Sequence, residues 1–272
     1  MRIPFIKMHG LGNDFVVLDA RNEAVPRMDI ALAAALADRK TGIGCDQLIL
    51  LERSPIADMR MRTFNADGGE VEACGNATRA VGLLHGEPAR IETLGGILAT
   101  TPADSGIAVD MGQPRFGWED IPLAYAMDTL AMPVGWETLE NPAGVNVGNP
   151  HAVFFVADTR TIDLDRLGPL IEHDPLFPNR VNVNVATVNA RDALRLRVWE
   201  RGVGETRACG TGACATAIAA MRRGLCDRRV TVTLTGGPLV IEWTAEGRIM
   251  MTGPAAESFR GSFDPAHFGA TL

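Results

Sequence analysis

The sequence predicts an α+β fold of two pseudo-symmetric, duplicated domains, each a β-sheet wrapped around one central helix. Three observations lead there. First, the chain repeats itself: Met59-Arg60-Met61-Arg62-Thr63-Phe64 returns as Leu194-Arg195-Leu196-Arg197-Val198-Trp199, a shift of 135 residues. At that shift Gly69-Glu70 falls on Gly204-Glu205, and Ala73-Cys74-Gly75 falls on Ala208-Cys209-Gly210. Gly12-Asn13 matches Gly148-Asn149 at 136, and Gly95-Gly96, Gly106 and Gly112 match Gly236-Gly237, Gly247 and Gly253 at 141. The shift changes only between blocks, where a repeat tolerates insertions. Second, both hexapeptides alternate apolar and polar residues, the period of a half-buried strand. Third, an alanine-rich stretch follows each Ala-Cys-Gly triplet, over 77–84 and 213–221, and reads as a helix.

The remaining elements follow in chain order. Each Gly-Asn pair precedes an apolar run. Residues 30–37 form a helix for which Asp29 is a natural N-cap. After each central helix come strands, around 91–100 and 107–111 in the first copy and around 230–243 and 249–252 in the second. The Gly-Gly pairs allow tight turns or close backbone approach. Prolines and irregular polarity break the pattern over 115–137. The reading therefore sets a first domain at 1–115, rejoined by the tail 258–272, and a second at 116–257.

Composition removes several functions. Of 272 residues 46% are hydrophobic and 22% charged, the balance of a globular protein with a substantial core. The net charge of −7 lacks the basic footprint of a nucleic-acid binder. Apolar runs such as 152–157 are far shorter than the ~20 residues of a membrane span. Lys7 and His9 come too early for the apolar core of a signal peptide, so a cytoplasmic protein is expected. Lys7 and Lys40 are the only lysines, leaving pyridoxal phosphate two candidate Schiff-base partners. The five cysteines are odd in number and contain no CxxC pair, which argues against disulfides and a thiolate zinc site. No metal and no cofactor are expected. Gly10-Leu11-Gly12 opens like a dinucleotide fingerprint but lacks its third glycine, and Gly204–Gly212 lacks the ending of a P-loop.

The matched cysteines carry the chemistry. A thiol at a helix start has its pKa lowered by the helix dipole. The glycine after it lets a ligand approach the exposed N–H groups, which bind anions. If the copies face each other across a cleft, two sulfurs flank one carboxylate-bearing carbon. One thiol can then remove a proton from one face while the other delivers one to the opposite face. Cys45, Cys214 and Cys226 lack this setting and are expected to be structural.

The segments Phe5-Ile6-Lys7-Met8-His9-Gly10-Leu11-Gly12-Asn13-Asp14-Phe15, Cys74-Gly75-Asn76 and Gly148-Asn149-Pro150-His151 resemble the diaminopimelate epimerase family. So does Trp199-Glu200-Arg201-Gly202-Val203-Gly204-Glu205-Thr206-Arg207-Ala208-Cys209-Gly210-Thr211-Gly212. The resemblance runs the length of the chain, with Ala77 standing where the family more often has glycine. It implies cofactor-independent epimerisation of L,L-2,6-diaminopimelate to the meso isomer, for lysine and peptidoglycan-precursor synthesis, by a homodimer. It assigns Cys74 and Cys209 as the acid/base thiols, with His151 and Glu200 modulating their pKa values. It assigns substrate binding to Asn13, Gln47, Asn65, Gly75, Asn76, Asn149, Asn182, Glu200, Arg201, Gly210 and Thr211. The repeat pairs these positions: Gln47 with Asn182, Asn65 with Glu200 and Asn13 with Asn149. The reacting carboxylate suits the two helix-start nests, the distal carboxylate suits Arg201, and the distal ammonium suits Glu200 and the asparagine oxygens. Two other readings are another cofactor-free racemase of the same fold, and a non-catalytic binder of a small acid, for which two thiols would be needless.

Overall fold

The structure, a computed structural model, describes residues 2–72 and 74–270, so Ala73 of the first Ala-Cys-Gly triplet lies outside the described residues. The chain forms two compact units, Met1–Val109 with Gly253–Leu272 and Asp110–Thr252.

Unit 1 carries β1 (Ile3–Gly10), β2 (Asn13–Asp19), α1 (Ile30–Ala37), β3 (Gln47–Glu52), β4 (Met59–Asn65), β5 (Glu70–Val71), α2 (Gly75–His85), β6 (Ala89–Thr93), β7 (Gly96–Ala103) and β8 (Gly106–Asp110). Strands β2 and β3 pair in parallel, with α1 as the connection between them, and β4 runs antiparallel to β3. Beyond β4, β5 pairs at Thr63–Phe64 and β6 pairs in parallel at Met59–Arg60. The sheet is covered on both faces. Val16, Leu18, Leu48 and Leu50 pack with Leu32 and Leu36 of α1, whereas Phe15, Val17, Ile49 and Leu51 pack with Ala77, Ala80 and Val81 of α2. Double burial is why these strands read as continuous apolar runs instead of alternating ones. Asp29 caps α1, its carboxylate accepting from the Leu32 N–H at 2.9 Å.

Unit 2 carries β9 (Gly135–Trp136), β10 (Leu139–Glu140), β11 (Ala143–Asn146), β12 (Pro150–Phe155), α3 (Leu164–Glu172), β13 (Asn182–Ala190), β14 (Ala193–Glu200), β15 (Gly204–Thr206), α4 (Gly210–Arg222), β16 (Arg229–Leu234), β17 (Gly237–Trp243) and β18 (Ile249–Gly253). Strands β9 and β10 form a small separate hairpin. The other pairings repeat those of unit 1: β12 parallel to β13, β13 antiparallel to β14, β15 on one end of β14 and β16 parallel on the other. Even the registers coincide. Leu48 faces Phe64 in unit 1, and Val183 faces Trp199 in unit 2. Thr63 faces Val71, and Val198 faces Thr206. The ion pair Arg62–Glu70 at 2.7 Å recurs as Arg197–Glu205 at 2.8 Å, each strapping the hairpin that leads into a candidate cysteine. Helix α4 packs against β11–β14, β16 and β17, the central position that α2 takes in unit 1. A last strand, β19 (Ala256–Phe263), returns to pair antiparallel with β1.

The structure divides two segments that the sequence reading left whole. Residues 91–100 and 230–243 are each two strands, because Gly96 (φ +118°) and Gly237 (φ +140°) turn the chain back where a side chain would be strained. The central helices begin at Gly75 and Gly210, directly after their cysteines, as a thiol at a helix start requires. Among the described residues no helix is long and apolar enough to cross a membrane.

Candidate active site

In unit 1 the site is built at one end of β2, β3 and β4 and at the start of α2. Leu11 (φ 58°) and Gly12 (φ 89°) make the tight turn between β1 and β2, so Gly10-Leu11-Gly12 is a hairpin turn, not a nucleotide loop. The turn sets Asn13 at the head of β2. Its Nδ2 donates to Asp46 Oδ2 at 3.0 Å, and its Oδ1 accepts from Asn76 Nδ2 at 3.1 Å and from the Cys74 thiol at 3.7 Å. The buried Arg79 in turn donates to Asn76 Oδ1 at 2.9 Å. A one-way chain of donors thus runs from a guanidinium to a carboxylate and fixes both amide orientations. Arg39 joins Asp46 (2.7 Å) to Asp14 (2.5 Å), and Lys7 reaches Asp14 at 2.6 Å. Burial opposes the Asp14 charge, but these cations outweigh it and hold the carboxyl well below its usual range. Gln47 and Asn65 face each other across β3 and β4, with Gln47 Nε2 donating to Asn65 Oδ1 at 3.1 Å. Gln47 Oε1 is buried without a hydrogen-bond partner among the described residues.

In unit 2 the same strand ends carry Asn149, Asn182 and Glu200. Asn182 donates to the Pro150 carbonyl at 2.9 Å and accepts from the Arg201 N–H at 2.9 Å, so its oxygen holds the loop after β14. That loop is tied again by the buried Glu172 at the end of α3, which accepts from Trp199 Nε1 at 2.7 Å and from the Gly202 N–H at 2.9 Å. The Arg201 side chain is exposed and donates to the Asn179 carbonyl at 3.0 Å. His151 is fully buried, with Nε2 2.9 Å from Asn149 Oδ1 and Nδ1 3.2 Å from Asn184 Oδ1. Burial, against the Asn184 contact, lowers its pKa to about 4, so the ring is neutral near pH 7.

The two cysteines occupy equivalent positions as N-caps of α2 and α4, with closely similar extended backbones (φ −133°, ψ 114° and φ −125°, ψ 108°). Gly75-Asn76 and Gly210-Thr211 are the first residues of those helices, where N–H groups have no partner within the helix. Cys74 is half-buried. Cys209 is buried, accepts the Gly212 N–H at 3.4 Å and lies 3.5 Å from Thr211 Oγ1. The helix-dipole expectation of a lowered thiol pKa fails here. Burial, reinforced by the Glu200 carboxylate, raises the Cys209 pKa well above its ordinary value and keeps it a thiol. Cys45, Cys214 and Cys226 are buried and outside any disulfide, and burial raises the pKa values of Cys45 and Cys226 to about 11. Sequence pattern does not single out Lys7, Arg39, Asp46, Arg79, Glu172 and Asn184 as site residues. Only Asn184 left a signal, two residues after Asn182 on the same face of β13.

A thiol held protonated by burial and by a neighbouring carboxylate gives a pH prediction. A step that needs Cys209 as acid weakens as pH rises through its pKa. Glu200→Gln removes the negative charge that raises that pKa, so the alkaline limb of the activity profile is expected at lower pH than in the parent. An unmoved limb in the variant's profile contradicts the assignment.

The duplicated α+β fold places the chain in a structural class that includes a probable proline racemase from Agrobacterium radiobacter K84. That chain aligns with a TM-score of 0.68 at 16% identity, over 99% of this chain and 96% of its own. A phenazine biosynthesis protein of the PhzF family from Bacillus anthracis aligns with a TM-score of 0.70 at 17% identity, over 97% and 99%. At these identities the likeness is one of fold. Sequence goes further. The diaminopimelate epimerase family model matches residues 5–117 and 144–257, and the chain belongs to that family. It is 71% identical to a diaminopimelate epimerase of Erythrobacter litoralis, over 97% of this chain and 98% of that protein. It is 64% identical to one of Rhizorhabdus wittichii, over 99% and 98%.

Proposed function

We propose that the protein epimerises L,L-2,6-diaminopimelate to the meso isomer without a cofactor, in lysine and peptidoglycan-precursor synthesis. The observation that carries the mechanism is the pair of equivalent N-cap cysteines, Cys74 and Cys209, in a chain of this family. One sulfur, as thiolate, takes the α-proton and becomes a thiol. The other thiol then gives its proton to the opposite face and becomes the thiolate, so protons and charge balance. Between these steps the α-carbon's electron pair is delocalised into the carboxylate. The resulting enediolate charge is of the kind that first-turn helix N–H groups stabilise. For Cys209 the acid role fits best, since burial and Glu200 keep it protonated. The reverse reaction exchanges the two roles.

The distal end of the substrate carries one carboxylate and one ammonium. Arg201 offers the fork that binds a carboxylate in two places, and the adjoining Glu200 offers an acceptor to the ammonium. A cytoplasmic setting and a homodimeric state belong to the same reading. The test is a stereochemical assay on the purified protein with L,L-diaminopimelate and single-headed amino acids, with no cofactor added. Conversion of diaminopimelate with at least ~10²-fold preference over alanine, lysine and proline is expected, because a site built for a second charged end leaves buried polar groups unpaired with other substrates. Equal or better turnover of proline or lysine would move the protein to the other racemase reading.

A further inference from the structure

The repeat supplies an internal control for His151. At the shifts that align the strands, His151, Asn184, Gly212 and Thr216 of unit 2 fall on Phe15, Ile49, Ala77 and Val81 of unit 1. The registers confirm it: Phe15 faces Gln47 where His151 faces Asn182, and Ile49 faces Thr63 where Asn184 faces Val198. In unit 1 these four positions are an apolar core between sheet and α2. In unit 2 they are a buried hydrogen-bonded chain: Asn184 Nδ2 donates to the Gly212 carbonyl at 3.0 Å and to Thr216 Oγ1 at 3.1 Å, while Asn184 Oδ1 lies 3.2 Å from His151 Nδ1. The fold is made without that chain in unit 1, so its presence in unit 2 answers another need.

The donors and acceptors say which. The Gly212 carbonyl can only accept, so Asn184 must turn its Nδ2 toward it and its Oδ1 toward His151. His151 Nδ1 therefore carries the proton of the neutral ring, and Nε2 is left a pure acceptor. Its neighbour 2.9 Å away is an Asn149 side-chain amide atom, set as Oδ1. Two acceptors do not bond, and the oxygen and nitrogen of an amide have nearly the same shape. We infer that Asn149 donates through Nδ2 to His151 Nε2 and presents Oδ1 outward, as an acceptor for a cationic donor of the substrate, an ammonium group. His151 is thus a positioning residue that acts through Asn149.

Unit 1 supports this independently. Asn13, the counterpart of Asn149, is already held that way: Nδ2 on the Asp46 carboxylate and Oδ1 turned toward Cys74 and Asn76. Where unit 1 has Asp46 and Asp14, unit 2 has Val181 and Pro150, so no carboxylate stands ready to hold the second asparagine. The acceptor has moved to the other side of the amide, into the core, and His151 supplies it. A neutral ring is what the role requires, and complete burial and the nearby Arg201 charge both favour it.

The inference rests on the proposed activity only for the ammonium's identity, and its first test needs no substrate. In the free enzyme labelled with ¹⁵N-histidine, His151 is assigned by the resonances lost in His151→Phe. Its Nδ1 is expected in the protonated range and its Nε2 in the unprotonated range at neutral pH. The opposite tautomer, or a ring protonated on both nitrogens, overturns the inference. The second test transplants the unit 1 residues, as His151→Phe, Asn184→Ile and Thr216→Val together. Replacing a buried polar chain by apolar groups of similar shape is often neutral for stability, so the melting temperature is expected to hold. KM for diaminopimelate is expected to rise about ten- to a hundredfold with a smaller change in kcat, as for the loss of one charge-assisted hydrogen bond. A folded variant with unchanged KM overturns the inference. If the variant does not fold, the tautomer alone decides. An epimerase assay that fails while the tautomer is as stated leaves the His151–Asn149 geometry standing and discards only the substrate.

Discussion

Replacing Cys74 or Cys209 by alanine is expected to lower kcat at least ~10²-fold in each case, the low end for loss of a general acid or base. Each direction of the reaction needs one sulfur to take a proton and the other to give one, so neither can substitute for its partner. The fold should tolerate both changes. Cys74 is half-buried at a helix start, and Cys209 is a small buried group whose contacts are weak sulfur hydrogen bonds. Circular dichroism and melting temperature on the same samples separate chemistry from stability. Turnover within a few-fold of the parent in either alanine variant contradicts the two-thiol mechanism.

The next largest effect is expected at Arg201. Its backbone is held by Asn182 and its loop by Glu172, so the guanidinium is carried on a fixed platform although the side chain itself is exposed. Arg201→Lys keeps the charge and loses the planar fork. A loss of about tenfold or more in kcat/KM for diaminopimelate is expected, the scale of one charge-assisted hydrogen bond, with most of the change in KM. Amino acids without a second carboxylate should be turned over at the parent's low rate, which narrows the selectivity. Unchanged selectivity assigns Arg201 to holding the Asn179 carbonyl, its contact in the free protein.

The duplication was legible because it is written in turns and strand ends as well as in apolar pattern. Glycines at bends and the Cys-Gly pairs that open the central helices are local requirements of backbone geometry, so they survive in both copies and set the register to the residue. Helix α3 was not legible. It contains Gly168 and Pro169, which read as breakers, yet Gly168 is there because a Cβ would lie 2.4 Å from the Trp199 ring. Packing against Trp199 overrode propensity, and α3 takes the place between parallel strands that α1 takes in unit 1.

At the candidate site, the residues whose types suggest chemistry were visible and those that aim them were not. Asp14, Arg39 and Asp46 are exposed or half-exposed charges of kinds that usually face water, and nothing in their spacing announces a network that ends on Asn13. The direction of the Cys209 shift was hidden for a similar reason. A helix start is read from the sequence, but the burial that opposes its effect comes from strands and loops remote in the chain. The substitution of a polar core for an apolar one between copies was present in the sequence throughout. It became readable only when the registers fixed which residue answers to which.

The central claim is that two different thiols handle the two protons. It is tested most directly by running the reaction from one stereoisomer in deuterated water and analysing both pools at a few per cent conversion. The account predicts product carrying deuterium at the inverted carbon, because the donating thiol has exchanged with solvent. It predicts little deuterium in the remaining substrate, because the abstracting sulfur tends to return the proton it took. Early product that is mostly unlabelled, as from a single base carrying the substrate's own proton between faces, would contradict it.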